Sequence, residues 1–261
     1  MEHELPAKPL EPDAIEPPAV APPLESGTLL QRRLVAVAEL FLCSSLPTQL
    51  FIQGLLIVAG WRPTTADGGF SLSFVVTMSL IDTAVVIALM VLLTRAHGES
   101  VADLWLGRRP VVREMMIGAA LVPLVFLVVV VLLNVLRLLT PTLHNVPTNP
   151  LEQMARGGVM NAAAFALVAI VAGGVREELQ RAFLLRRFEQ HLGGVRLGVI
   201  VLSLAFGLAH AVQGWDAAIT TGMLGAIWAV MYVRRRSSIA PLVSHAGFNS
   251  LEVLRVAMGG L

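Results

Sequence analysis

The sequence predicts an all-α fold, a polytopic membrane bundle of about seven transmembrane helices, with an eighth span if one segment folds back. Three observations predict it. Hydrophobic residues fill 56% of the 261 positions and charged ones only 14%, and the mean hydropathy is +0.74; soluble domains average roughly 45–50% and 25%. The apolar residues gather in runs close to the ~20 residues that cross a bilayer as helix. Arginines collect in alternate connections between those runs. The runs are too few and too long for the strands of a barrel, and helices satisfy their own backbone hydrogen bonds in lipid.

Residues 1–28 come first and differ from the rest. They hold Pro6, Pro9, Pro12, Pro17, Pro18, Pro22, Pro23 and six acids. Such a composition buries too little apolar area to order itself, so a disordered tail is expected. A cationic start, short apolar core and small-residue cleavage site are missing, so it does not read as a signal peptide. Residues 29–261 then read as one membrane domain. Its apolar segments are 34–60, 70–94, 115–139, 157–175, 195–213, 217–233 and 238–258. The first contains Pro47, Gln49 and Gln53, which predict a kink or break.

The arginines test this order. Arg32 and Arg33 precede the first segment. Arg95, Arg108, Arg109 and Arg113 follow the second; Arg181, Arg186, Arg187 and Arg196 follow the fourth; Arg234, Arg235 and Arg236 follow the sixth. The other connections hold only Arg62 and Arg156. This alternation predicts a cytoplasmic N-terminus by the positive-inside rule, in a plasma membrane of bacterial inner-membrane type. The formal net charge of +1 gives no reason to expect a nucleic-acid partner. The single cysteine, Cys43, lies in an apolar run and is expected to be a small buried hydrophobe.

Ionisable side chains at membrane depth are costly and mark function by default. Here they are Glu39, Asp82, Glu177, Glu178, His210, His245, Glu252 and Arg255. Of six histidines, only His210 and His245 lie within apolar segments. Phe206 and His210 share a helix face at i, i+4, as do His245 and Asn249, and Glu177 and Arg181. Each pattern has an ordinary explanation taken singly: a satisfied core histidine, an interfacial Glu–Arg bridge, or interhelical hydrogen bonds. Three such faces, all C-terminal to Val175, make a constellation.

A carboxylate in low dielectric suits a general base, and a histidine beside it can orient the same water. A second histidine and an amide can donate to the oxyanion of a tetrahedral intermediate. The alternative is zinc held by Glu177, His210 and His245, with an open position for water. Both schemes lead to hydrolysis of an amide bond. The H-E-x-x-H zinc motif is absent, so a metal site would be assembled from separate helices.

The segment "EELQRAFLL" with "SLAFGLAHA" and "IAPLVSHAGFN" resembles the CPBP family of intramembrane proteases, also called the type II CAAX prenyl protease or Abi family. The resemblance covers about residues 157–256. The matching positions are Glu177, Glu178 and Arg181; Phe206 and His210; and His245 and Asn249. It implies a helical bundle around a water-accessible cavity. It implies Glu177 as base with His210 activating water, and His245 and Asn249 holding the oxyanion, by a glutamate-dependent or a metal-dependent route. Glu178 becomes a supporting acid paired to Arg181. One departure stands out. The family places its arginine four residues after the second glutamate, where this chain has Ala182; Arg181 is rotated by about 100° and still reaches either acid.

With these spans Glu177 lies near the cytoplasmic end of its helix and His210 roughly 20 Å deeper. A shared site would need residues 186–194 to dip inward, or the fifth helix to begin outside the membrane, with Gly193–Gly194 as the break. The reading that follows is an integral membrane endopeptidase acting on a peptide or protein in the bilayer, CAAX-like tails or maturing peptides among them. Its competitors are an inert membrane scaffold and a proton-coupled transporter. The transporter lacks paired broken helices in two halves.

Overall fold

The structure, a computed structural model, describes residues 27–259. The expected tail at 1–28 lies outside the described residues except for Gly27 and Thr28. Thr28 caps the first helix, α1 (Leu29–Leu42), in a reciprocal box: its Oγ1 accepts from the Gln31 amide and its own amide donates to Gln31 Oε1. The chain breaks at Cys43–Ser45, where Ser45 takes a left-handed φ of 66°. It restarts as α2 (Leu46–Val58), bent by 40° from α1. Pro47 sits in the first turn of α2, where its missing N–H costs nothing. The expected break in the first segment is therefore real, and it falls just before the proline.

Next come α3 (Leu72–Ala96), the short α4 (Val101–Trp105) and α5 (Val111–Leu139). A connection with a single turn of helix at Pro141–Leu143 leads to α6 (Pro150–Ala155). Then α7 (Val159–Val168), a π-helical stretch Ala169–Arg176 and α8 (Glu177–His191) form one continuous helix of 33 residues. Gly193 and Gly194, both at φ 95°, turn the chain into α9 (Val195–Ala209). The last two helices are α10 (Trp215–Arg235) and α11 (Ile239–Ala257).

Among the described residues, four helices are long and apolar enough to cross a membrane: α3, α5, α7–α8 and α10; the bent α1–α2 pair makes five if it is one span. The chain is a multi-pass helical membrane protein. The seven spans expected from the sequence are not reached. One reason is α9, whose 15 residues rise about 22 Å against a core of about 30 Å. The other is α11, diluted by Ser244, His245, Asn249, Ser250, Glu252 and Arg255. The fourth segment, expected to end at residue 175, continues as helix to His191.

The bundle is centred on α10, the most buried of the four long helices. It packs on α9 across small residues. A Cβ on Gly207 would stand 2.6 Å from the Ala218 carbonyl, and one on Gly225 would stand 2.8 Å from the Phe206 ring. The small residues of the sixth segment therefore admit both a neighbouring backbone and an aromatic ring. At the arginine-rich end, Arg187 is fully buried and pairs with Glu39 at 2.7 Å and Glu99 at 3.1 Å. His97 Nε2 reaches the same Glu39 at 2.6 Å. Glu39 thus faces no headgroup water; it is a buried ion-pair partner. Arg187, counted as a loop cation in the orientation argument, is an internal one. Cys43 is wholly buried in the α1–α3–α8 core with Val86, Met90 and Phe183, as expected.

Candidate functional site

The π-helical stretch Ala169–Arg176 ends at Glu177. Such stretches leave the regular ladder and recur at functional sites. Two glycines let α11 press against it. A Cβ on Gly174 would lie 2.6 Å from that of Ala246, and one on Gly173 would lie 2.6 Å from Asn249 Nδ2. Asn249 Nδ2 donates at 2.8 Å to the carbonyl of Ala169, the first residue of that stretch. The close approach sets the His245–Asn249 face of α11 against the start of α8.

The two adjacent acids part company here. The Glu178 side chain is 1% exposed and that of Glu177 is 19% exposed. Glu178 Oε1 accepts from His245 Nδ1 at 2.8 Å and from Arg181 Nη1, while its Oε2 is buried with no hydrogen-bond partner among the described residues. Arg181 lies over the Phe206 ring, 4.9 Å from its centroid, and 5.8 Å from that of Trp228, a desolvated cation on aromatic faces. The Glu178–Arg181 pair therefore forms despite the shifted arginine. Trp228 stacks on the His245 ring at 3.8 Å and 16°, and its Nε1 donates to Ser244 Oγ. With a carboxylate on Nδ1 and an indole on one face, the His245 ring has one orientation.

Glu177 is held differently. Its Oε1 accepts from Arg176 Nη2 at 3.2 Å, and its Oε2 lies 3.9 Å from His245 Nε2. That gap exceeds a direct hydrogen bond, and a single water bridges such a distance with two bonds of about 2.8 Å. Arg176 is itself buried and binds Asp82 through Nη1. Asp82 is fully buried and also accepts from Thr48 Oγ1 and, at 3.3 Å, from Gln49 Nε2.

His210 follows the last residue of α9. Its Nδ1 donates to the Phe206 carbonyl at 2.8 Å, which fixes the tautomer, and its ring meets the Phe206 ring edge-on at 4.7 Å. Phe206 also meets His245 edge-on at 6.1 Å, so one aromatic ring touches both histidines. The expected depth conflict disappears. Glu177 opens α8, which ends at His191 beside the glycine turn, and His210 closes α9, which begins at Val195 on the other side of it. The two helices are of equal length, 15 residues each. Counted along each helix from the turn, both residues therefore lie about 21–22 Å away. The conflict came from ending the fourth segment at residue 175.

Among the described residues, no group of three His, Cys, Asp or Glu side chains is placed to hold a metal ion. Glu177, His210 and His245 are not grouped closely enough to count as such a set; both histidines have Nδ1 engaged, by Glu178 and by the Phe206 carbonyl, and present Nε2. Glu252 and Arg255 pair on α11, and Arg255 also binds Glu152 of α6 at 2.9 Å.

Sequence reasoning did not reach Arg176 or Trp228. Arg176 stands beside two acids where the apolar run stops, and charge normally marks the end of a span. A tryptophan in an apolar helix carries no signal of its own.

A family model described as type II CAAX prenyl endopeptidase Rce1-like matches residues 159–251. The matched stretch contains Glu177, Glu178, Arg181, Phe206, His210, His245 and Asn249. No curated protein and no solved structure matches the chain.

Proposed function

We propose that this chain, which a type II CAAX prenyl endopeptidase Rce1-like family model matches over residues 159–251, is a CPBP-type intramembrane endopeptidase that hydrolyses a peptide bond with glutamate-activated water. The observation that carries the reading is the 3.9 Å gap between Glu177 Oε2 and His245 Nε2, beside a carboxylate that keeps some access to water. A water seated there donates one hydrogen to each acceptor and turns its lone pair towards a substrate carbonyl carbon. Glu177 takes a proton as the C–O bond forms. The same proton passes to the departing amine nitrogen as the C–N bond breaks. Glu178 holds Nδ1 of His245, which keeps Nε2 as the atom facing the water, in the manner of a carboxylate behind a catalytic histidine.

The developing oxyanion needs donors on the other side of the carbonyl. Asn249 has a second amide hydrogen, and His210, with Nδ1 committed to Phe206, presents Nε2 as a donor when protonated. The roles of the histidines are thus exchanged relative to the sequence reading, because the histidine nitrogen nearest Glu177 belongs to His245. No step runs through a metal. The proposed substrates are peptides or proteins lying in the membrane, CAAX-like tails included, with the N-terminus of the enzyme cytoplasmic. The test is cleavage of a fluorogenic membrane-anchored peptide by purified protein. Glu177→Gln should lower kcat by about 10²–10⁴-fold, and wild-type activity should survive a chelator. Full activity in Glu177→Gln would sink the reading.

A further inference from the structure

Asp82 and Arg176 form an ion pair buried in the middle of the bundle, where such pairs repay their desolvation poorly. A pair serving only to staple helices has no need to end on a third group. This one does. Arg176 is held through Nη1 by Asp82 and passes Nη2 to Glu177 Oε1. Asp82 is in turn fixed by Thr48 and Gln49, the polar face that the break at Cys43–Ser45 delivers to α3. The break itself is pinned from α8, where Gln180 Nε2 donates to the Cys43 carbonyl at 2.5 Å. The result is a line of fixed groups from α2 through α3 to one oxygen of Glu177. The other oxygen, Oε2, is left facing His245 Nε2.

Resting on the peptidase reading above, we infer that Asp82 and Arg176 are positioning residues for Glu177. They clamp one carboxylate oxygen and present the other to water. Neither residue touches substrate.

The test uses the full chain in lipid nanodiscs and the neutral double variant Asp82→Asn/Arg176→Gln. Removing both charges avoids leaving one buried alone, so the variant is expected to fold. The first readout needs no catalysis. A hydrophobic carbodiimide modifies accessible carboxyl groups, and mass spectrometry follows the rate of its attachment to Glu177 at a single pH. In the double variant, attachment should be several-fold faster than in wild type, since Oε1 is no longer held by Arg176. Arg176→Lys should fall between, because a point charge cannot span both acids. The second readout is kinetic: kcat falls about 10²-fold with KM within about twofold. Superimposable labelling curves would overturn the inference, even with reduced kcat, since that would leave a structural role alone. Wild-type protein that cleaves no peptide would count against the peptidase reading, while the labelling curves would still decide this one.

Discussion

Glu177 and Glu178 are chemically identical neighbours, and about 100° of helix rotation gives them opposite fates. Glu178 is sealed between Arg181 and His245, so its loss leaves a buried guanidinium without its carboxylate. Glu178→Gln should therefore cost about 3–5 kcal/mol of stability, read as a lower Tm in detergent. Glu177→Gln should leave Tm nearly unchanged, because Arg176 keeps Asp82. Equal Tm losses in the two variants would contradict this division. Trp228 carries a related expectation. Trp228→Ala should cost about 3–5 kcal/mol and also lower kcat, since the indole holds the His245 ring in place. A stable Trp228→Ala protein with wild-type kcat would show the stacking to be incidental. The spacing of Glu177, His210, His245 and Asn249 was legible because i, i+4 pairs survive in any helix. Asp82 was visible as a buried charge and Arg176 was not, and their pairing spans 94 positions, which no local pattern encodes.

At the scale of elements, the site depends on how closely α11 meets the widened turn of α7–α8. Gly174 faces the backbone and Cβ of Ala246, so Gly174→Ala must push α11 outward. A cost of about 1–3 kcal/mol and a loss of kcat are expected. The swap Gly174→Ala/Ala246→Gly should restore part of both; no recovery would mean that the displaced element is not α11. The π-helical stretch was invisible in the sequence, which shows only small residues ending a hydrophobic run. Its boundary with the charged "VREEL" looked like the end of a membrane helix because charge normally ends one. Here the charges turn inward to partners on α3 and α11 and the helix continues to His191. The break between α1 and α2 was legible because proline and two glutamines interrupt an otherwise apolar run.

At the scale of the molecule, the helical class and the membrane setting followed from composition, since no soluble fold exposes so much apolar surface. The number of spans did not follow, because α9 is short and α11 polar for reasons of the site. The arginine-rich end has its own chemistry. Burial pushes the Glu99 carboxyl up, but the Arg187 charge, the Gln190 amide and Arg186 outweigh it and hold the group below its ordinary value of 4.5. A depressed value means stabilisation that is present above the ordinary range and lost as pH falls through the folded-state value. Tm should therefore fall as pH drops below about 4.5, and Glu99→Gln should flatten that dependence; an unchanged slope would exclude Glu99 as its source. One further consequence comes from the α8–α9 hairpin. Glu177 and His210 stand at the far ends of two equally long helices that share one pair of glycines, so the turn acts as the zero of a ruler. Inserting one helical turn into α9 alone would lift His210 about 5.4 Å past Glu177, whereas a matched insertion in both helices would keep them level. In the proposed peptidase the hairpin would gauge depth: a scissile bond would sit at one fixed height above the arginine-rich end, and the tether between a substrate's membrane anchor and that bond would become a criterion of selection.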